Sequence, residues 1–145
     1  MAEPAAEDPG FIPPVGFVRS ERRGPFTEHN GPVYHRADSE AVIHGFHALR
    51  RHCNGLGIVH GGMLASFLDG LLGHAVGAAA RTPSVTIHLS LDYLSMARAG
   101  DWIEGEAKIS RLARDVAFAE AEARVKGRAV VRATAVFKLM ERKGS

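Results

Sequence analysis

The residues of this 145-residue chain best suited to chemistry lie in the segment His60-Gly61-Gly62-Met63-Leu64-Ala65-Ser66-Phe67-Leu68-Asp69, with Asn54 six residues upstream of its start. The first turn of a helix presents N–H groups that have no intrahelical acceptor, and the helix dipole makes that end favourable for negative charge. Two glycines leave the backbone bare there, so a carbonyl oxygen has close access to the Gly61 and Gly62 amides. Further along, Asp69 sets a lone carboxylate in a stretch otherwise built of Leu, Phe and small residues. Polarising amides and a carboxylate together point to acyl-group chemistry.

The element that must carry these groups is a helix. From Gly61 to about Ala80, Leu64, Phe67, Leu68, Leu71, Leu72, Ala75, Val76 and Ala79 recur at three- and four-residue intervals, and no other long helical pattern is visible. Asp69 lies off the centre of that apolar stripe, which suits a solvent-facing or an interface-facing position. At 1.5 Å per residue, Gly61 and Asp69 are about 12 Å apart along the axis, too far to act on one carbonyl group. Two antiparallel copies of the helix could lay the Gly61 end of one beside Asp69 of the other. The sequence therefore predicts a homodimer with composite active sites.

After Thr82-Pro83 the period changes to two. Val85, Ile87, Leu89 and Leu91 alternate with Thr86, His88, Ser90 and Asp92, the pattern of a strand with one buried face. Three further strands are predicted, near Trp102–Leu112, Val116–Val125 and Arg128–Met140, the last with Val131, Ala133, Ala135, Phe137 and Leu139 on one face. Upstream, Val33–Arg36 and Ala41–Leu49 read as short strands around a turn at 37–40. Short turns between strands favour antiparallel neighbours. The expected fold is α+β, one long helix on a curved antiparallel sheet, forming a single domain over residues 33–145. Residues 1–32, rich in proline, read as a partly disordered leader or arm that Phe11, Phe17 and Phe26 could pin to the body.

With 46% hydrophobic and 23% charged residues, the chain has the composition of an ordinary globular protein. A net charge of +2 with scattered Lys and Arg gives no support to nucleic-acid binding. The acidic, proline-rich start lacks a signal peptide's basic and apolar regions, and the single Cys53 cannot form an internal disulfide. A cytoplasmic protein is expected. The apolar stretch 63–80 contains Asp69 and His74, so it reads as a buried helix and not a membrane span.

The run Asn54-Gly-Leu-Gly-Ile-Val-His60-Gly61-Gly62-Met-Leu-Ala-Ser-Phe-Leu-Asp69 resembles the motif of the hotdog-fold thioesterases, in particular the phenylacetate-degradation (PaaI) type and its acyl-CoA thioesterase relatives. The likeness covers about Val33 to Met140. It implies the hotdog fold, an acyl-CoA substrate, no cofactor, and a dimer that pairs again into a dimer of dimers. It also implies roles for individual residues. Asp69 would be nucleophile or general base, the Gly61 amide would polarise the thioester carbonyl, and Asn54 would orient water or carbonyl. His60 would support the loop and thioester end, and Thr86 would lie near the carboxylate. Gly62 joins Thr86 as a substrate-binding position. The helix contains no glutamate, which favours the aspartate branch of the fold.

Plainer readings stand beside these. Gly61-Gly62 could merely let a helix start close to a strand, and Asn54 could simply hold a turn. His44 with His47, or His52 with His60, have weak metal-ligand spacing, and no metal site is expected. Ser66 lacks a G-x-S-x-G elbow. Arg111, Arg114, Lys126 and Arg128 could meet coenzyme A phosphates or be solvated turn charges. A non-catalytic acyl-CoA-binding or sensing protein, and a hotdog hydratase or dehydratase, are the competing functions.

Overall fold

The computed structural model describes residues 10–141. Their element order is β1 (Phe17–Arg19), α1 (Pro25–Asn30), β2 (Tyr34–Arg36), β3 (Val42–His47), a 3-10 turn (Arg50–His52), α2 (Gly61–Ala80), β4 (Ser84–Tyr93), β5 (Trp102–Leu112), β6 (Val116–Val125) and β7 (Arg128–Leu139). All strands pair antiparallel in one sheet of order β1-β2-β3-β5-β6-β7-β4. The architecture is the expected α+β hotdog arrangement, a long helix against an antiparallel sheet that does not close.

The helix buries Leu64, Phe67, Leu68, Leu71, Leu72, Ala75 and Val76. Each buried leucine contributes about 1.5–3 kcal/mol of apolar transfer. Beneath them the sheet is lined with small side chains. Ala117, Ala119, Ala121 and Ala123 of β6 and Ala133 and Ala135 of β7 are all buried, so the helix can lie close to the strands. By length and composition α2 could cross a bilayer, and here it is the core helix of the domain.

The expected boundary at Val33 falls inside the fold. β1 pairs with β2 through Phe17↔Arg36 and Arg19↔Tyr34, so the described part of the arm extends the sheet. Residues 1–9 of the expected leader lie outside the described residues. Phe17 is buried edge-on against Trp102, and Phe11 stacks on His47 and Trp102. Phe26, by contrast, is 64% exposed. Trp102 can lie flat over β3 because position 45 is glycine. A Cβ there would come within 2.2 Å of its ring.

β4 departs most from expectation. It is the terminal strand beside β7, and only half of the face expected to be buried is covered: Val85 is 52% and Ile87 57% exposed, while Leu89 and Leu91 pack against the core. The register also shifts between Thr86 and His88. Thr86 stands opposite the buried Phe137, whereas Leu89 and Leu91 stand opposite the buried Ala135 and Ala133. Ile87 is thus the extra residue of a bulge, which reverses the alternation. Thr86 joins the helix-facing side with Leu89 and Leu91 instead of opposing them.

Candidate active site

The site begins at the start of α2. His60 is the N-cap, and its Nδ1 accepts the Gly62 N–H at 2.8 Å. Its carbonyl accepts the Met63 and Leu64 amides at 2.9 and 3.2 Å. The two amides expected to be free are therefore reduced to one. Gly62 is satisfied by the cap, and the Gly61 N–H has no acceptor among the described residues. This follows from ordinary capping geometry, in which the cap side chain takes the N2 or N3 amide and leaves N1 open. Accepting at Nδ1 requires a neutral His60 with its proton on Nε2.

Two turns further, Asp69 is half-buried on the flank of α2 that faces β4. Its Oδ1 accepts a hydrogen bond from the Thr86 hydroxyl at 2.6 Å. The bulge at Ile87 makes this contact possible. Because α2 is followed by a tight turn, β4 returns antiparallel beside it. The start of β4 thus meets Asp69 and its end meets Gly61, where the Tyr93 hydroxyl donates to the Gly61 carbonyl at 2.7 Å. Tyr93 carried no motif signal and could be read from sequence only as a pocket side chain; its place at the end of β4 is what sets it on Gly61.

Asn54 belongs to the loop ahead of His60. Its Oδ1 accepts from the amides of Leu56 (2.9 Å) and Ile58 (3.2 Å), a side-chain-held turn. Its exposed side chain makes no hydrogen bond to Gly61 or Asp69 within the protomer. The loop itself is tied to the arm. The His52 imidazole is 3% exposed, accepts from the Leu49 amide at 3.0 Å, and donates to the Asn30 carbonyl at 2.6 Å. The His52 carbonyl in turn accepts the His60 amide at 2.9 Å. Burial lowers the His52 pKa, which favours the neutral ring this pattern needs.

The structure thus brings Asp69 together with Thr86, and His60 with Gly61 and Gly62. Within one protomer, Gly61 and Asp69 remain at separate points of the helix. On the flank opposite Thr86, the arm's Arg23 donates to the Gly70 carbonyl at 3.1 Å and lies 3.4 Å from His44 Nδ1. Ser66 donates to the Gly62 carbonyl at 2.9 Å. The Cys53 thiol donates to the Leu49 carbonyl, and burial pushes its pKa up, so it is not poised to react. Asp92 pairs with Arg132 at 3.7 Å on the sheet's outer face. Among the described residues, no group of three or more His, Cys, Asp or Glu is arranged to hold a metal ion.

The chain is similar to known proteins. The model of the Thioesterase superfamily matches residues 56–132, a span that includes the helix, β4, β5, β6 and the start of β7. A protein of Pseudomonas aeruginosa that carries an esterase name is 34% identical over 129 residues, covering 87% of this chain and 96% of that one. Acyl-coenzyme A thioesterase 13 of Mus musculus is 30% identical over 87 residues, 59% of this chain and 62% of its own length. A solved structure from Ralstonia eutropha JMP134, described as a phenylacetic acid degradation-related protein, superposes with a TM-score of 0.64 at 30% identity. That superposition covers 68% of this chain and 76% of the other.

Proposed function

Because this chain belongs to the thioesterase superfamily, we propose that it hydrolyses an acyl-CoA thioester to the free acid and coenzyme A, in sites shared between two protomers. The observation that carries this reading is the coexistence of an unpaired helix-start amide at Gly61 and a carboxylate at Asp69 held by Thr86. The amide, at the positive end of α2, stabilises charge that develops on the carbonyl oxygen. Thr86 occupies one Asp69 oxygen. The other either attacks the carbonyl carbon, expelling the CoA thiolate and leaving a mixed anhydride for water to cleave, or takes a proton from the attacking water.

The terminal position of β4 supports a composite site. Its outer edge has no partner strand among the described residues, its Thr86 reaches Asp69, and its other face leaves Val85 and Ile87 exposed. A second copy seated on this edge would bring its own Gly61 toward that carboxylate. The family likeness adds a dimer of dimers. An acyl-CoA substrate is supported by the name of the mouse relative and by the groove that continues from Tyr93 past Leu94 and Met96. Arg98 and Arg128 flank that groove, as binding of phosphate groups would require.

Subunit mixing tests the whole reading. Asp69→Ala removes the carboxylate. Gly61→Pro removes the amide donor at a helix position that tolerates proline, and His60 already has the extended backbone (φ −60, ψ 134) that a following proline demands. Each variant alone is expected to lose most thiol release from a panel of short, medium, long and aryl acyl-CoA substrates. Refolded together, they should regain about a quarter of wild-type activity, because half of the dimers are mixed and each mixed dimer has one intact site. Recovery of none, from variants that fold and mix, would place both groups in the same protomer's site. Full activity in Asp69→Ala would remove the hydrolase mechanism. Turnover of enoyl thioesters without thiol release would favour a hydratase.

A further inference from the structure

We propose that Tyr93 is a positioning residue for the Gly61 amide, acting by clamping the peptide unit between Gly61 and Gly62. This rests on the thioesterase reading for its kinetic consequence, though not for its geometry. The clamp has two jaws on one peptide plane. Tyr93 donates to its C=O, the Gly61 carbonyl, at 2.7 Å, and His60 Nδ1 accepts from its N–H, the Gly62 amide, at 2.8 Å.

The need for such a clamp follows from the sequence. Two consecutive glycines are the least constrained pair a chain can offer, so a bare Gly-Gly helix start gives a carbonyl access at the expense of direction. The Gly61 N–H belongs to the neighbouring peptide, joined to the clamped one through the Gly61 Cα. Holding the 61–62 plane at both ends leaves that amide few ways to turn.

Tyr93 is mounted to do this. Immediately after it, the Leu94 and Ser95 amides both donate to the Val130 carbonyl, at 2.7 and 3.1 Å. The Ser95 hydroxyl donates to the Ala129 carbonyl at 2.6 Å, and Arg128 donates to the Ser95 hydroxyl and the Met96 carbonyl at 2.6 and 2.9 Å. The ring therefore projects from a segment fastened to the core strand β7. It rests against Gly61, where an added Cβ would stand 3.3 Å from both Cζ and the hydroxyl oxygen. A helix already satisfies the carbonyl of its first residue, so the Tyr93 bond is a second one whose effect is to fix orientation.

Tyr93→Phe keeps the ring and deletes one hydrogen bond. The expected result is a kcat about tenfold lower, with KM within about twofold and an unchanged melting midpoint, the pattern of an interaction expressed in the transition state. Amide NMR gives a readout independent of activity. In Tyr93→Phe the Gly61 and Gly62 signals should shift and the Gly62 amide should exchange faster, while amides from the middle of α2 stay in place. Fluorotyrosine, a stronger donor, should move the same two signals the opposite way, and it covers the case in which Tyr93→Phe does not fold. Unchanged kcat together with unmoved glycine signals overturns the proposal. If the wild type releases thiol from no thioester, the functional reading fails, and the glycine signals alone decide whether the clamp exists.

Discussion

Acid should weaken this fold through His44. This imidazole is 1% exposed, sits 3.4 Å from Arg23 and 5.0 Å, ring to ring, from His74, and its Nε2 has no partner among the described residues. Burial, reinforced by Arg23, His74 and His35, pulls its pKa from 6.5 to about 3. Between those two values the unfolded chain binds a proton that the folded chain refuses. The neutral ring's contribution is complete above pH 6.5 and is lost as pH falls toward 3. Proton linkage puts the loss at about 2 kcal/mol between pH 7 and pH 5, and about 3 kcal/mol by pH 4. Burial also lowers the pKa values of His52 and His74, so their contributions have the same sign. Replacing His44 with Phe removes its share and leaves theirs. With a urea dependence of about 1–3 kcal/mol per molar, the wild-type midpoint should drop about 1 M further between pH 7 and 5 than that of His44→Phe. Protomer concentration must be held fixed, since any association of copies adds to apparent stability. Equal drops in the two proteins would refute the assignment.

Two further outcomes follow from single contacts. Thr86→Val deletes the hydroxyl that donates to Asp69 at 2.6 Å while suiting an exposed strand. Hydrogen bonds to charged groups are worth about 1.5–3 kcal/mol, and solvent access at Thr86 places the effect at the lower end. A kcat about tenfold lower at unchanged melting temperature is expected in a thiol-release assay. Gly45→Ala would gain about 0.5–1 kcal/mol of strand preference, but its Cβ would lie 2.2 Å from the Trp102 ring. Overpacking costs about 1–3 kcal/mol, so strain should win, lowering the melting temperature by several degrees and loosening the seat of Phe11 and Phe17 on Trp102. Calorimetry and limited proteolysis of the arm would show both.

Part of this protein was legible residue by residue. The 3.6 period of Leu64, Phe67, Leu68, Leu71, Leu72, Ala75 and Val76 sufficed to place α2, and those side chains are the ones buried. Alternation and turn residues located β5, β6 and β7 to within a residue or so, because a half-buried surface imposes its period directly on the side chains covering it. The run from Asn54 to Asp69 carried the family. What no local window contains is the partner of each strand. That β4 pairs with β7 rather than with β5, its neighbour in sequence, is settled by long-range hydrogen bonds. The bulge at Ile87 is a mismatch of register against β7, and it turned Thr86 toward Asp69 against the alternation of its own strand. The arm's place in the sheet and the double hold of Tyr93 and His60 on one peptide arise in the same way. Periodicity records how residues face solvent or core, whereas register and reach are set between segments far apart in the chain, so only their packing together decides them.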